Sequence, residues 1–108
     1  RDGLAAVKGV LRSGGEAVTV PDEEILAAVP EMAQTTGIFA EPAAAAPWAA
    51  IRQLVRDEKI DADELVVCIV SGSGLKDIAG IRKTVATPVR IDPSVEAIRE
   101  SGAFPSAR

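Results

Sequence analysis

Apolar residues at three- and four-residue spacing predict three helices in the first half of the chain. The first is expected between the capping residue Asp2 and Gly14, which begins a Gly-Gly pair that ends the helix. The second is expected over residues 22–36, where acidic residues meet the positive helix end and Gly37 stops the helix. The third is rich in Ala and is expected over residues 42–58.

Two prolines interrupt these helical patterns. An interior proline removes a backbone hydrogen bond and costs a helix about 3 kcal/mol. Pro30 therefore predicts a kink in the second helix or its division into two shorter helices. Pro47 is compatible with the third helix only if that helix begins about one turn before it.

Three short segments rich in β-branched or apolar residues are predicted as β-strands. They are residues 17–20, 65–70 and 89–91. The second is an unbroken apolar run, typical of a strand covered on both faces, so we expect it at the centre of a parallel sheet. Further helices are expected over residues 78–85 and over residues 93–101, the latter capped by Asp92. Strands separated by helices indicate an α/β fold.

Composition excludes several classes of function. A net charge of −4 and only three aromatic residues give no basic, stacking surface for nucleic acid. The chain has no His, so a Ser-His-Asp triad and a histidine-ligated metal site are excluded, and no metal is predicted. Its single cysteine, Cys68, cannot form an intrachain disulfide and is expected to be a small buried apolar residue.

The hydropathy and the first residues of the chain indicate where in the cell the protein is expected. No apolar run reaches the roughly 18 to 20 residues of a membrane helix, and the start does not read as a signal peptide. We therefore expect a cytoplasmic, reducing setting and no membrane association. The sequence opens on Arg1 without Met, so we also expect it to be part of a longer protein.

Small residues follow the predicted central strand, at residues 71–74 (Ser-Gly-Ser-Gly). Ligands of open parallel sheets bind at the carboxyl ends of strands, and this loop lies at such an end. Glycine allows the backbone to approach a ligand closely, and a serine hydroxyl can both donate and accept a hydrogen bond. The spacing matches neither standard phosphate-binding loop, and a plain tight turn remains an alternative.

A carboxylate stands where the third helix begins. Glu41 lies between Phe39-Ala40 and the Ala-rich helix. It is either a partner of the helix dipole or a site residue that faces a ligand, and the sequence leaves both interpretations open.

Together, these two segments resemble the threonine synthase family, a branch of the pyridoxal-phosphate enzymes related to the tryptophan synthase β chain. The family has a Gly-(Ile/Val)-Phe-x-Glu-Pro-Ala segment and, later, an apolar strand that ends (Thr/Ser)-Gly-x-Gly-Leu-Lys-Asp. Residues 37–43 read GIFAEPA and residues 71–77 read SGSGLKD, in the same order. The passage SGGEAVTVPDEEIL, residues 13–26, is also similar to the family. The likeness covers residues 1 to about 80.

The resemblance implies a fold, a cofactor and roles for three residues. The fold would be a partial three-layer parallel sheet flanked by helices, a piece of the large domain of a fold-type-II pyridoxal-phosphate enzyme. Residues 1–108 would form a single segment of that domain, with residues 81–108 as a C-terminal extension of uncertain role. Ser71 matches the residue whose hydroxyl hydrogen-bonds the pyridine nitrogen of pyridoxal phosphate. Glu41 would line the cofactor pocket, and Gly72 would let the loop pass under the ring.

The resemblance also implies a reaction, in which the whole enzyme converts O-phosphohomoserine and water into threonine and phosphate. The Schiff-base lysine belongs to an N-terminal region of the family, so no catalytic residue is predicted in this segment. The partners would be this small-molecule substrate and the rest of the same enzyme, and a homodimer is compatible with the resemblance. Two alternatives remain: a dehydratase-like pyridoxal-phosphate ammonia-lyase, and a non-enzymatic α/β module that binds a small molecule or a partner.

Overall fold

A computed structural model describes residues 2–102, whose regular structure is five α-helices and one 3₁₀ turn. In chain order these elements are α1 (Gly3–Ser13), α2 (Asp22–Thr36), α3 (Pro42–Arg56), the 3₁₀ turn (Gly74–Lys76), α4 (Ile78–Ile81) and α5 (Val95–Glu100). Arg1 and residues 103–108, the end of the predicted C-terminal extension, lie outside the described residues. Among residues 2–102, no helix is long and apolar enough to cross a membrane.

The three predicted N-terminal helices are confirmed. Helices α1 and α2 end at Gly14 and Gly37, which have φ angles of 69° and 75°. Only glycine adopts this left-handed conformation without a steric penalty, so the two glycines terminate the helices as predicted. Asp2 precedes α1, but its side chain makes no capping hydrogen bond, so that part of the prediction is wrong.

Helix α2 continues through Pro30 as one element of 15 residues, so of the two predicted alternatives, a kink or a division into two shorter helices, the division is wrong. The reason is packing: Ala28, Val29 and Met32, on either side of the proline, are buried. Their burial favours the continuous helix more than the loss of one hydrogen bond opposes it. Pro47 lies five residues after the first residue of α3, close to the single turn that the sequence required.

Helices α2 and α3 form an antiparallel hairpin around a small core. Glu24, early in α2, pairs with Arg56, whereas Glu31, late in α2, pairs with Arg52, so the two helices run in opposite directions. Small alanine side chains of α3 allow the close approach of the helices. The buried core residues are Ala28, Val29, Met32, Ala40, Ala44, Ala45, Ala49 and Ile81.

The three predicted strands are not formed within the described residues. At residues 65–70 the exposure nevertheless alternates: Leu65, Val67 and Ile69 are 93, 81 and 76% exposed, whereas Val70 packs against the core. This two-residue period is typical of a strand. A strand must exchange backbone hydrogen bonds with a neighbouring strand, and no strand lies beside residues 65–70 in residues 2–102. The parallel sheet therefore stays a prediction.

The last third of the chain is less helical than expected. Helix α4 covers only Ile78–Ile81 of the predicted residues 78–85, and α5 is shorter than predicted. The cap of α5 is Ser94, whose hydroxyl accepts a hydrogen bond from the amide of Ala97 at 3.1 Å, so Asp92 was the wrong choice.

The described chain is extended. Its radius of gyration is 18.7 Å, against roughly 13 Å for a compact domain of 100 residues. The buried core in the described residues is formed by the helical hairpin with Ala40 and Ile81, and α1 has no buried residue.

Candidate functional site

The segment before α3 and the loop before the 3₁₀ turn, which carry the two sequence motifs, lie side by side. Ala40 and Ser73 form an antiparallel bridge. The amide of Glu41 donates to the carbonyl of Gly72, and the amide of Gly74 donates to the carbonyl of Phe39, each at 3.0 Å. We call residues 39–41 and 71–74, joined by this bridge, the motif junction. Two segments that the sequence linked only by their order are thus in direct contact.

The carboxylate of Glu41 lies over Gly72. A Cβ atom built on Gly72 would overlap with the Glu41 carboxylate oxygen Oε1, so the contact requires glycine. The Glu41 side chain is only 13% exposed. Although Glu41 is the N-cap residue of α3, its side chain accepts no hydrogen bond from the first turn. The side chain therefore contacts the loop instead of capping the helix.

Lys76 and Asp77, the last two residues of the SGSGLKD motif, each have a defined partner. The ammonium of Lys76 lies 3.4 Å from Oε1 of Glu41, although its own side chain is 71% exposed. Asp77 accepts a hydrogen bond from the amide of Gly80 at 2.9 Å and so caps α4. Lys76 thus connects the end of the 3₁₀ turn to the Glu41 carboxylate of the motif junction.

The hydroxyl of Ser71 is exposed and makes no hydrogen bond to any residue in the described part of the chain. It is available to a ligand, and a hydroxyl with a free donor and acceptor fits the ring nitrogen of pyridoxal phosphate. A groove of about 360 Å³ between the beginnings of α2 and α3 and helix α4 does not include Ser71, Glu41 or Gly72. The structure thus brings Glu41 and Gly72 together and leaves the adjacent Ser71 open to solvent.

Sequence reasoning missed one packing contact at the motif junction. Gly74 is buried, and a Cβ atom built on it would lie 2.5 Å from Cζ of Phe39. The signal was available, because both residues belong to the matched motifs, but only the fold shows that they touch. Within residues 2–102 there is no cluster of three or more His, Cys, Asp or Glu side chains that could hold a metal ion.

Comparison with known proteins identifies the family. A family model described as pyridoxal-phosphate dependent enzyme matches residues 1–72, which include the helical hairpin, Glu41, Ser71 and Gly72. The chain belongs to this family of pyridoxal-phosphate dependent enzymes. The resemblance drawn from the two motifs is confirmed, and so, for the family, is the predicted cofactor.

Similarity to individual proteins extends beyond residue 72. A threonine synthase of Methanosarcina acetivorans is 44% identical over 89% of this chain and 24% of its own length. Threonine synthases of Methanocaldococcus jannaschii and Halalkalibacterium halodurans are 37% and 39% identical over 87% and 83% of this chain, and over 23% and 24% of their own lengths. The chain thus spans about a quarter of the length of these relatives.

Proposed function

We propose that this chain is the C-terminal portion of a cytoplasmic, pyridoxal-phosphate dependent threonine synthase and forms one wall of its cofactor pocket. The complete enzyme converts O-phosphohomoserine and water into threonine and phosphate. The observation that carries the proposal is the motif junction, because the bridge between Ala40 and Ser73 places Glu41 beside the loop of Ser71. The similarity to proteins named threonine synthase supports this activity over that of a dehydratase.

Ser71 is the residue proposed to contact the pyridine nitrogen. A hydroxyl can hydrogen-bond a neutral ring nitrogen, but it cannot act as the counter-ion of a protonated one as a carboxylate can. Ser71 therefore favours the neutral ring and limits its electron-withdrawing power. When bound, pyridoxal phosphate supplies the electron sink for elimination of phosphate and addition of water. The exposed, unpartnered hydroxyl of Ser71 is compatible with this role.

Glu41 and Gly72 form the adjoining part of the wall. The absence of a side chain at Gly72 leaves room for the Glu41 carboxylate. It also allows the backbone of the loop to pass close under the cofactor ring. The carboxylate thereby places a negative charge near the position proposed for the cofactor ring. Neither residue is assigned a bond-making role.

The remaining parts of the pocket would come from the same, longer polypeptide. None of Lys8, Lys59, Lys76 and Lys83 has the sequence context of the family's Schiff-base lysine, so this segment alone should be inactive. We propose that residues 65–70 become a central strand once neighbouring strands pair with them, which also covers their exposed side chains. Residues 1–108 would then be one segment of the large domain, with residues 81–108 as its extension.

An assay of the full-length polypeptide tests the function. Release of phosphate and formation of threonine from O-phosphohomoserine, with no deamination of added threonine or serine, is the expected result. Deamination of threonine or serine without phosphate release would favour the dehydratase alternative. Absence of both reactions in a cofactor-loaded protein would overturn the proposal. Size-exclusion chromatography with light scattering tests the homodimer.

A further inference from the structure

We propose that Gly72 and Lys76 are positioning residues, which together hold the carboxylate of Glu41 against the loop that carries Ser71. This inference rests on the proposed function in one respect, that the loop lines the cofactor pocket. It gives Gly72, which already belongs to the proposed wall, and Lys76, which does not, a role that each exerts through Glu41.

The contact between Gly72 and Glu41 is the first part of the argument. A methyl group at residue 72 would overlap with atoms at the end of the Glu41 side chain. That end can swing away, whereas the backbone is fixed by the hydrogen bond from the Glu41 amide to the Gly72 carbonyl at 3.0 Å. Replacement of Gly72 by Ala should therefore displace the carboxylate and leave the fold intact.

The ion pair between Lys76 and Glu41 is the second part. The Lys76 ammonium is the cation within 4.0 Å of Glu41 among the described residues, and it lies 3.4 Å from Oε1. The carboxylate is largely buried and accepts no hydrogen bond from the amides of α3. Lys76 therefore supplies the compensating charge that keeps Glu41 in this position. Because the lysine is mostly exposed, solvent screens the attraction and the effect should be modest.

The test is a double-mutant cycle in the full-length protein, with the dissociation constant of pyridoxal phosphate and its absorption spectrum as readouts. Gly72→Ala and Glu41→Ala should each weaken cofactor binding. The double variant should bind no more weakly than the poorer single variant, a coupling of at least about twofold. The matched control is Gly74→Ala in the same loop, which should couple to Phe39→Ala and not to Glu41→Ala.

Lys76 is tested in the same way and does not depend on how Gly72→Ala folds. Lys76→Met should weaken cofactor binding about twofold to fivefold when Glu41 is present and have no effect in the Glu41→Ala background. Lys76→Arg, which keeps the positive charge, should bind the cofactor with wild-type affinity and show the wild-type absorption spectrum. Lys8→Met is the control, because Lys8 is exposed on α1 and has no ionic partner in the described structure.

The outcomes separate this inference from the proposed function. Effects of Gly72→Ala and Glu41→Ala that multiply independently, or an effect of Lys76→Met that persists without Glu41, would overturn the inference even in an active threonine synthase. Coupling of both residues to Glu41 in a protein that releases no phosphate from O-phosphohomoserine would support the inference and reject the proposed reaction.

Discussion

The aromatic ring of Phe39 covers Gly74, with its Cζ atom 2.5 Å from the position that a Cβ atom at residue 74 would occupy. Gly74 is buried, and its amide donates to the carbonyl of Phe39 at 3.0 Å. The two motif segments are thus held together by a backbone hydrogen bond and by a contact that only glycine permits. These two contacts hold in place the loop that carries Ser71, the residue proposed to bind the cofactor.

Replacement of Gly74 by Ala should destabilise the protein by about 1–3 kcal/mol, because the added methyl group overpacks against a rigid ring. Chemical denaturation of the cofactor-free protein measures the loss. When Phe39→Ala is combined with Gly74→Ala, most of the stability loss caused by the added methyl group should disappear. The control is Gly9→Ala, which has open space around residue 9 and adds a better helix former to α1. Equal losses from Gly74→Ala with and without Phe39 would contradict the steric explanation.

Replacement of Ser71 by Ala should leave stability within about 0.5 kcal/mol of wild type, because the exposed hydroxyl has no hydrogen bond in the described chain. In the full-length protein it should weaken pyridoxal-phosphate binding about twofold to tenfold, the worth of one hydrogen bond. Fluorescence titration of the cofactor measures this.

Ser73→Ala is the matched control for that variant. The Ser73 hydroxyl accepts a bond from the Leu75 amide at 3.3 Å and has no proposed contact with the cofactor. Unchanged cofactor affinity and absorption spectrum in Ser71→Ala would remove Ser71 from the pocket.

Replacement of Met32 by Ala should cost about 2–5 kcal/mol, because Met32 is 1% exposed and fills the space between α2 and α3. The free energy of unfolding in urea is the measurement. Gln34→Ala, two residues away on the exposed side of the same helix, should change it by less than about 0.5 kcal/mol. Similar losses for the two variants would argue against the hairpin core described above.

The ion pair between Lys59 and Glu16 predicts a dependence on alkaline pH. Glu16 accepts a hydrogen bond from Lys59 at 2.5 Å and raises the pKa of the Lys59 ammonium above its ordinary value of 10.5. A raised pKa in the folded state means that the stabilisation is complete below pH 10.5 and is lost as the pH rises through the folded pKa.

Thermal unfolding of wild type and Lys59→Met at several pH values checks this prediction. The difference in midpoint should be small, largest below pH 10.5, and should shrink above it. Added salt should also reduce the difference, because both side chains are about half exposed. A difference that grows with pH would have the wrong sign for this pair.

Local signals in the sequence determined the three N-terminal helices. Gly14 and Gly37 ended α1 and α2 because the left-handed conformation is open to glycine without strain, and Pro42 began α3 because its missing amide is not needed in a first turn. The order and spacing of the two motifs were also sufficient to indicate the family, which the match over residues 1–72 confirms. Each of these features depends on residues that are close together in the chain.

Only the tertiary structure decided how distant residues meet. Pairing of Ala40 with Ser73, the position of Glu41 over Gly72 and the attraction of Lys76 to Glu41 join residues more than 30 positions apart. No local propensity specifies such contacts, because they form between segments that helix α3 and the loop after it separate in the chain. Residues 65–70 show the same limit: their apolar pattern predicts a strand, but a strand forms only where neighbouring backbone supplies its hydrogen bonds.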